Sequence, residues 1–136
     1  MSFFQWDPVK FDVGVPKMNA AHQGLIKLMN SIHERDAAGA SKAELEGLFG
    51  RLGEATQRHF TDEESYMESV AFPDIKSHKL IHARLLQDFG KHAAAFAAGN
   101  GRVDPEFFAF LSLWLRSHIC HLDTKYGRLA GIKRAV

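Results

Sequence analysis

The sequence predicts an all-α protein, an up-down-up-down four-helix bundle with an irregular N-terminal arm. Apolar residues recur at steps of three and four from about residue 19 onward, Gly and Pro punctuate them, and no stretch keeps the alternation of a half-buried strand. Four such stretches of roughly 20 residues, each about 30 Å long as a helix, joined by short loops, are the pattern of a bundle. The chain of 136 residues, 46% hydrophobic and 24% charged, has the size and core of one domain, spanning 1–136.

The first eighteen residues form the arm. Phe3, Phe4, Trp6, Phe11, Val13, Val15 and Met18 are interrupted by Pro8, Gly14 and Pro16, so an apolar segment without regular structure is expected to lie across the helices. The first helix, about 19–38, is expected to start on Asn19 as N-cap, with His22, Leu25, Ile26, Met29 and Ile32 on one face and an end near Gly39. The second, 42–69, opens with the capping box Ser41-Lys42-Ala43-Glu44. Its stripe runs Leu45, Leu48, Phe49, Leu52, Thr56, His59, Phe60 and Glu63, turning polar at the end. Phe72-Pro73-Asp74 breaks the chain. The third helix, 74–98, carries His78, His82, Leu85, Leu86, Phe89 and Phe96 and stops at Gly99-Asn100-Gly101. Asp104-Pro105-Glu106 supplies an N-cap, a first-turn proline and an acid for the fourth, 105–126, whose face is Phe107, Phe108, Leu111, Leu115, His118 and Leu122. Residues 128–136 form a tail.

Composition removes several function classes. Seventeen Lys plus Arg against sixteen Asp plus Glu leaves a net +1, without the basic footprint of a nucleic-acid binder. The longest apolar run, Ala93 to Ala98, is six residues, far below the roughly 20 that span a bilayer, so no membrane insertion is expected. With no signal-type N-terminus, the expected location is cytoplasmic. The single Cys120 excludes an internal disulfide and a Cys-rich zinc framework and is expected to be a packed or partly exposed thiol.

Eight histidines stand out. In each helix the residues that interrupt the apolar stripe are metal-ligand types, on the face that the other residues would bury. His59 and Glu63 are four apart, as are His78 and His82, so each pair lies within about 40° of alignment and one turn of about 5.4 Å apart, able to grip one site. A buried imidazole or carboxylate without a partner costs on the order of 1–3 kcal/mol or more, and a metal would satisfy the whole set. A lone His on a helix is more often a surface or hydrogen-bonded residue; two such pairs joined through a short turn, with His22 and His118 facing them, are far more specific. His118 and Asp123, five apart, fall about 140° from each other on an ideal helix. Either Asp123 reaches sideways to a second ion, or a π-type bulge turns both inward, or the two combine. His33 and His92 are expected on the surface, and His121 off the His118 face.

With these residues in place, the chain resembles the hemerythrins, in particular the single-domain bacterial ones. The matching segments are His22-Gln23-x-Leu25, His59-Phe60-x-x-Glu63-Glu64-x-x-Met67, His78-x-x-x-His82 and Trp114-Leu115-x-x-His118-x-x-x-x-Asp123-x-x-Tyr126, with Trp6 and Val13-Gly14 in the arm. One departure is Asn19, where the family often has Asp; it bears on capping more than on metal. The resemblance implies an oxygen-bridged non-haem di-iron centre. In it His78, His82 and His118 hold one iron, His22 and His59 the other, and Glu63 and Asp123 bridge both. Counting one solvent-derived oxygen bridge, the first iron is six-coordinate and the second five-coordinate, with one position open for O2 or a small anion. Five imidazoles and two carboxylates without a thiolate exceed what a structural zinc takes. Neutral imidazoles, against the Glu-rich sites of ferritin-like enzymes, favour reversible O2 binding over O2 activation. By the same resemblance Leu115, Ile119 and Trp114 line the oxygen pocket; ordinary core is an equal reading for Leu115 and the stronger one for Ile119 and Trp114. The implied function is O2 carriage, storage or delivery rather than catalysis. The alternatives are an O2 or redox sensor acting through a partner, disfavoured by the lack of a fused output domain, a di-iron enzyme reducing nitric oxide or peroxide, and iron storage. No exposed apolar stripe predicts an interface.

Overall fold

The computed structural model describes residues 4–6, 14–114 and 118. Four α-helices follow in order: α1 (Pro16–Ala37), α2 (Lys42–Ser69), α3 (Ile75–Ala98) and α4 (Pro105–Trp114). The fold is a four-helix bundle, and among the described residues there is no strand. Short connections turn the chain back at each end, so α1 lies against α2 and α2 against α3.

The start of α1 differs from the expectation. Its N-cap is Val15 and Pro16 occupies the first turn. The Asn19 amide donates to the Val15 carbonyl at 3.0 Å, which puts Asn19 inside the helix. The proline that reads as a breaker of the arm is a helix starter, because its missing N–H is unsatisfied in the first turn anyway and its φ is already helical. Half of the capping box on α2 forms as expected: the Glu44 amide donates to Ser41 Oγ at 3.1 Å. The Glu44 carboxylate instead accepts from Arg35 Nε of α1 at 2.6 Å, an inter-helix ion pair replacing the reciprocal cap. On α4 the Glu106 amide donates to Asp104 Oδ1 at 2.9 Å, the N-cap that Asp104-Pro105-Glu106 predicts.

Both α1 and α2 end in Schellman motifs. After α1 the Ala40 amide reaches the Arg35 carbonyl at 2.9 Å across Gly39, whose φ is 80°. After α2 the Phe72 amide reaches the Met67 carbonyl at 2.9 Å across Ala71, with φ 53° and no glycine to relieve it. Buried Phe72 and Met67 make the apolar closure of that turn.

The two ends of the bundle interior differ in chemistry. Toward the α1–α2 and α3–α4 connections the core is aromatic: Phe49 stacks on Phe96 at 4.8 Å and meets Phe107 of α4 at 4.7 Å. Aromatic pairs add about 0.5–1.5 kcal/mol each beyond area burial. The loops there are tied down by cations, with Lys42 Nζ donating to the carbonyls of Ala97 and Gly99 and Arg102 to those of Asp36 and Ala40. His33 and His92, expected on the surface, are half-buried against α4, His33 edge-on to Phe108 at 4.9 Å and His92 against Phe110 at 4.9 Å. Of the N-terminal segment, residues 4–6 are described, and there the Phe4 amide donates to Asn30 Oδ1 of α1 at 2.7 Å and Asn30 Nδ2 returns a bond to the Phe4 carbonyl at 2.8 Å.

Candidate metal centre

The opposite end of the interior is filled by imidazoles. His22 comes from α1, His59 and Glu63 from α2, His78 and His82 from α3, and His118 from beyond the described end of α4; all six are buried. The i,i+4 spacing on α2 and α3 stacks each pair on its inward face, as the sequence requires. His118 stands in a π-helical turn, one of the two ways offered to reconcile its spacing with Asp123. Asp123, Leu115, Ile119, Cys120, His121 and the tail 128–136 lie outside the described residues.

Glu63, fully buried, is the hub. Its Oε2 lies 3.4 Å from His22 Nε2 and 3.3 Å from His59 Nε2. Its Oε1 lies 2.9 Å from His82 Nε2 and 3.7 Å from His118 Nε2. Ligand-type atoms therefore gather into two lobes that share this carboxylate, Glu63 with His78, His82 and His118, and Glu63 with His22 and His59, each within 4.8 Å. Burial pushes the Glu63 carboxyl upward, but hydrogen bonds from His118, His22, His59 and His82 outweigh it and hold the group well below the usual carboxylate range.

These residues fit a metal on the chemistry of their atoms. His82 Nδ1 lies 2.9 Å from Glu64 Oε2, an acceptor that can take the ring proton when a cation occupies the Nε2 side. The Nε2 lone pair then faces Glu63 Oε1 at 2.9 Å and His118 Nε2 at 3.0 Å. Acceptors this close in a dry site need a positive charge between them, a proton in the metal-free chain or a cation in the loaded one. The donors among the described residues, five imidazoles and one carboxylate, suit a divalent transition metal such as iron.

Two residues near the centre carry roles that sequence reasoning left unassigned. Glu64 binds His82, and Phe60 stacks on the same ring at 3.8 Å with 3° between planes. Glu64 stands in the matched motif beside Glu63, and a helical wheel separates the two by about 100°, so only the position of α3 reveals its partner. Trp114 is buried, with its ring 6.3 Å from His118 and 6.1 Å from Phe60. Its Nε1–H meets no acceptor among the described residues.

Fold and site together define a class: a helical bundle enclosing a carboxylate-bridged, histidine-rich pair of cation sites. The chain belongs to the hemerythrin family, since residues 13–130 match the hemerythrin HHE cation binding domain. It is 26% identical over 127 residues to a bacteriohemerythrin of Methylococcus capsulatus, covering 93% of this chain and 96% of that one. It is 30% identical over 123 residues to a myohemerythrin of Theromyzon tessulatum, covering 90% of each. A crystal structure of wild-type hemerythrin superposes with a TM-score of 0.85 at 25% identity, over 94% of this chain and 98% of the other.

Proposed function

We propose that this chain binds O2 reversibly at a non-haem di-iron centre and serves as an oxygen carrier, store or delivery protein rather than an enzyme. The observation that carries the reading is the grouping of five imidazoles around one carboxylate: His78, His82 and His118 gather with Glu63 in one lobe, where His82 and His118 face Oε1, and His22 and His59 face Oε2 in the other. His78, His82 and His118 would hold one iron, His22 and His59 the other, with Glu63 and, by family resemblance, Asp123 bridging them. When bound, the iron pair supplies the electrons and the open coordination position that O2 or a small anion needs.

The protein's part is to hold the two lobes unequal and dry. His78, His82 and His118 would fill one lobe together with the bridging groups, and the two-imidazole lobe of His22 and His59 would be the place for a diatomic ligand. Burial of His22, His59 and Glu63 keeps bulk water away, which protects a reduced centre from loss of its ligand. Trp114, Leu115 and Ile119 are assigned to the pocket lining; the burial of Trp114 beside His118 supports its part of that role. Leu115→Ala is expected to accelerate autoxidation, read as faster loss of the oxygenated absorption band, and an unchanged rate removes Leu115 from the lining. The reading treats residues 1–136 as one domain working in a bacterial cytoplasm without nucleic-acid partners. It is supported by bacterial relatives and by the lack, among the described residues, of a helix long and apolar enough to cross a membrane.

The test is iron content per chain together with the visible spectrum, first reduced without air and then exposed to O2. Two irons and a colour change that reverses when oxygen is removed are expected. Immediate oxidation with no reversible band overturns the carrier reading, and zinc or no metal overturns the di-iron centre itself.

A further inference from the structure

His82 stands between two carboxylates. Its Nε2 faces Glu63 Oε1 at 2.9 Å, and its Nδ1 faces Glu64 Oε2 at 2.9 Å. Phe60 lies flat against the ring at 3.8 Å. Glu63 is sealed inside the bundle, whereas the Glu64 side chain is 29% exposed and reaches inward from the rim. A neutral imidazole carries one proton, and here the two carboxylates compete for it. A proton on Nε2 would bond to Glu63 and block that nitrogen as a ligand. A proton on Nδ1 bonds to Glu64 and leaves the Nε2 lone pair directed at the centre.

We propose that Glu64 is a positioning residue that selects the metal-binding tautomer of His82 by accepting its Nδ1–H, while Phe60 fixes the plane of the ring. The effect falls on the three-imidazole lobe, where His82 stands. In the other lobe, His59 Nδ1 is buried with no hydrogen-bond acceptor among the described residues, so nothing comparable orients that ring. The inference rests on the metal centre proposed above. It adds that one ligand of the three-imidazole lobe is preset from outside the centre, by a carboxylate that is not itself a ligand.

The test titrates the full chain with Co(II), free of O2 and against a competing chelator, following the visible absorption of the bound ion. The parent is expected to take two Co(II) per chain. Glu64→Ala is expected to weaken one of the two by about 10–100-fold, the range for loss of a ligand-orienting partner, and to leave the other unchanged. Glu64→Gln keeps an acceptor oxygen without the charge and should recover most of the loss. The metal-free melting temperature should be the same in all three, which separates orientation of a ligand from support of the fold. Parent-like affinity at both sites in Glu64→Ala, equal weakening of both, or no recovery in Glu64→Gln overturns the proposal. A parent that does not take two ions overturns the metal centre and this inference together.

Discussion

Glu63 is a carboxylate that the metal-free chain keeps charged in a place where burial alone would neutralise it. Its folded pKa lies well below the ordinary value of 4.5, with four imidazoles outweighing desolvation. A depressed carboxyl contributes stability that is present above the unfolded value and is lost as pH falls through the folded one. Metal-free protein is therefore expected to lose stability on acidification below about pH 4.5, and Glu63→Gln should flatten that part of the curve. Urea unfolding between about pH 3 and 5 measures it; equal slopes in parent and variant would refute this account of the site. The same residue shows why ligand identity was readable from spacing while ligand grouping was not. His59 and Glu63 share a helical stripe in the sequence, but which oxygen faces which imidazole depends on where α1 and α3 stand.

At the scale of elements, the α2–α3 turn governs the centre, because it joins the helix that carries His59 and Glu63 to the one that carries His78 and His82. Ala71 holds that turn in the left-handed region at φ 53°, where a Cβ costs about 1–2 kcal/mol. Replacing it by Gly loses about 0.5–1 kcal/mol through the freer unfolded chain, so Ala71→Gly should stabilise by about 0.5–1 kcal/mol. Thermal unfolding reads the difference, and a lowered midpoint would show that the turn is not strained. Inside α2, Gly47 and Gly50 are exposed and a Cβ at either meets no atom within 4 Å. Gly47→Ala with Gly50→Ala is therefore expected to raise stability by about 1–2 kcal/mol without altering metal content, checked by denaturant midpoint and metal analysis. Gly53 is different: a Cβ there would meet Phe89 at 3.0 Å, so this glycine lets α3 approach. Element boundaries followed from caps where a side chain commits to the backbone, as at Ser41 and Asp104. The start of α1 escaped that reasoning because its cap residue, Val15, offers no side-chain acceptor and only the proline after it marks the turn.

Across the whole molecule, one end of the interior is closed by aromatic packing and the other by residues that need a cation. A metal bound to ligands from three helices and the π turn binds the folded chain and not the unfolded one. It stabilises by about 2.7 kcal/mol when its concentration is 100 times the dissociation constant. Chelation is thus expected to lower the melting temperature by several degrees while the aromatic end keeps the helices formed. Calorimetry and far-ultraviolet circular dichroism with and without chelator test this, and an unchanged melting temperature would mean that the centre does not couple to folding.

Local information was enough for the helical class, for most caps and for the ligand types on each stripe, because periodicity, proline and the i,i+4 spacing act within one or two turns of chain. His22, His59, Glu63, His78, His82 and His118 were all legible on those grounds. What needed the tertiary structure was every relation between helices. The division of the imidazoles between the two oxygens of Glu63, the grip of Glu64 on His82, the stacking of Phe60 and the burial of His33 and His92 against α4 depend on distances between residues far apart in sequence. The physical reason is that a helix sets where a side chain points around its own axis, while packing decides what that side chain meets.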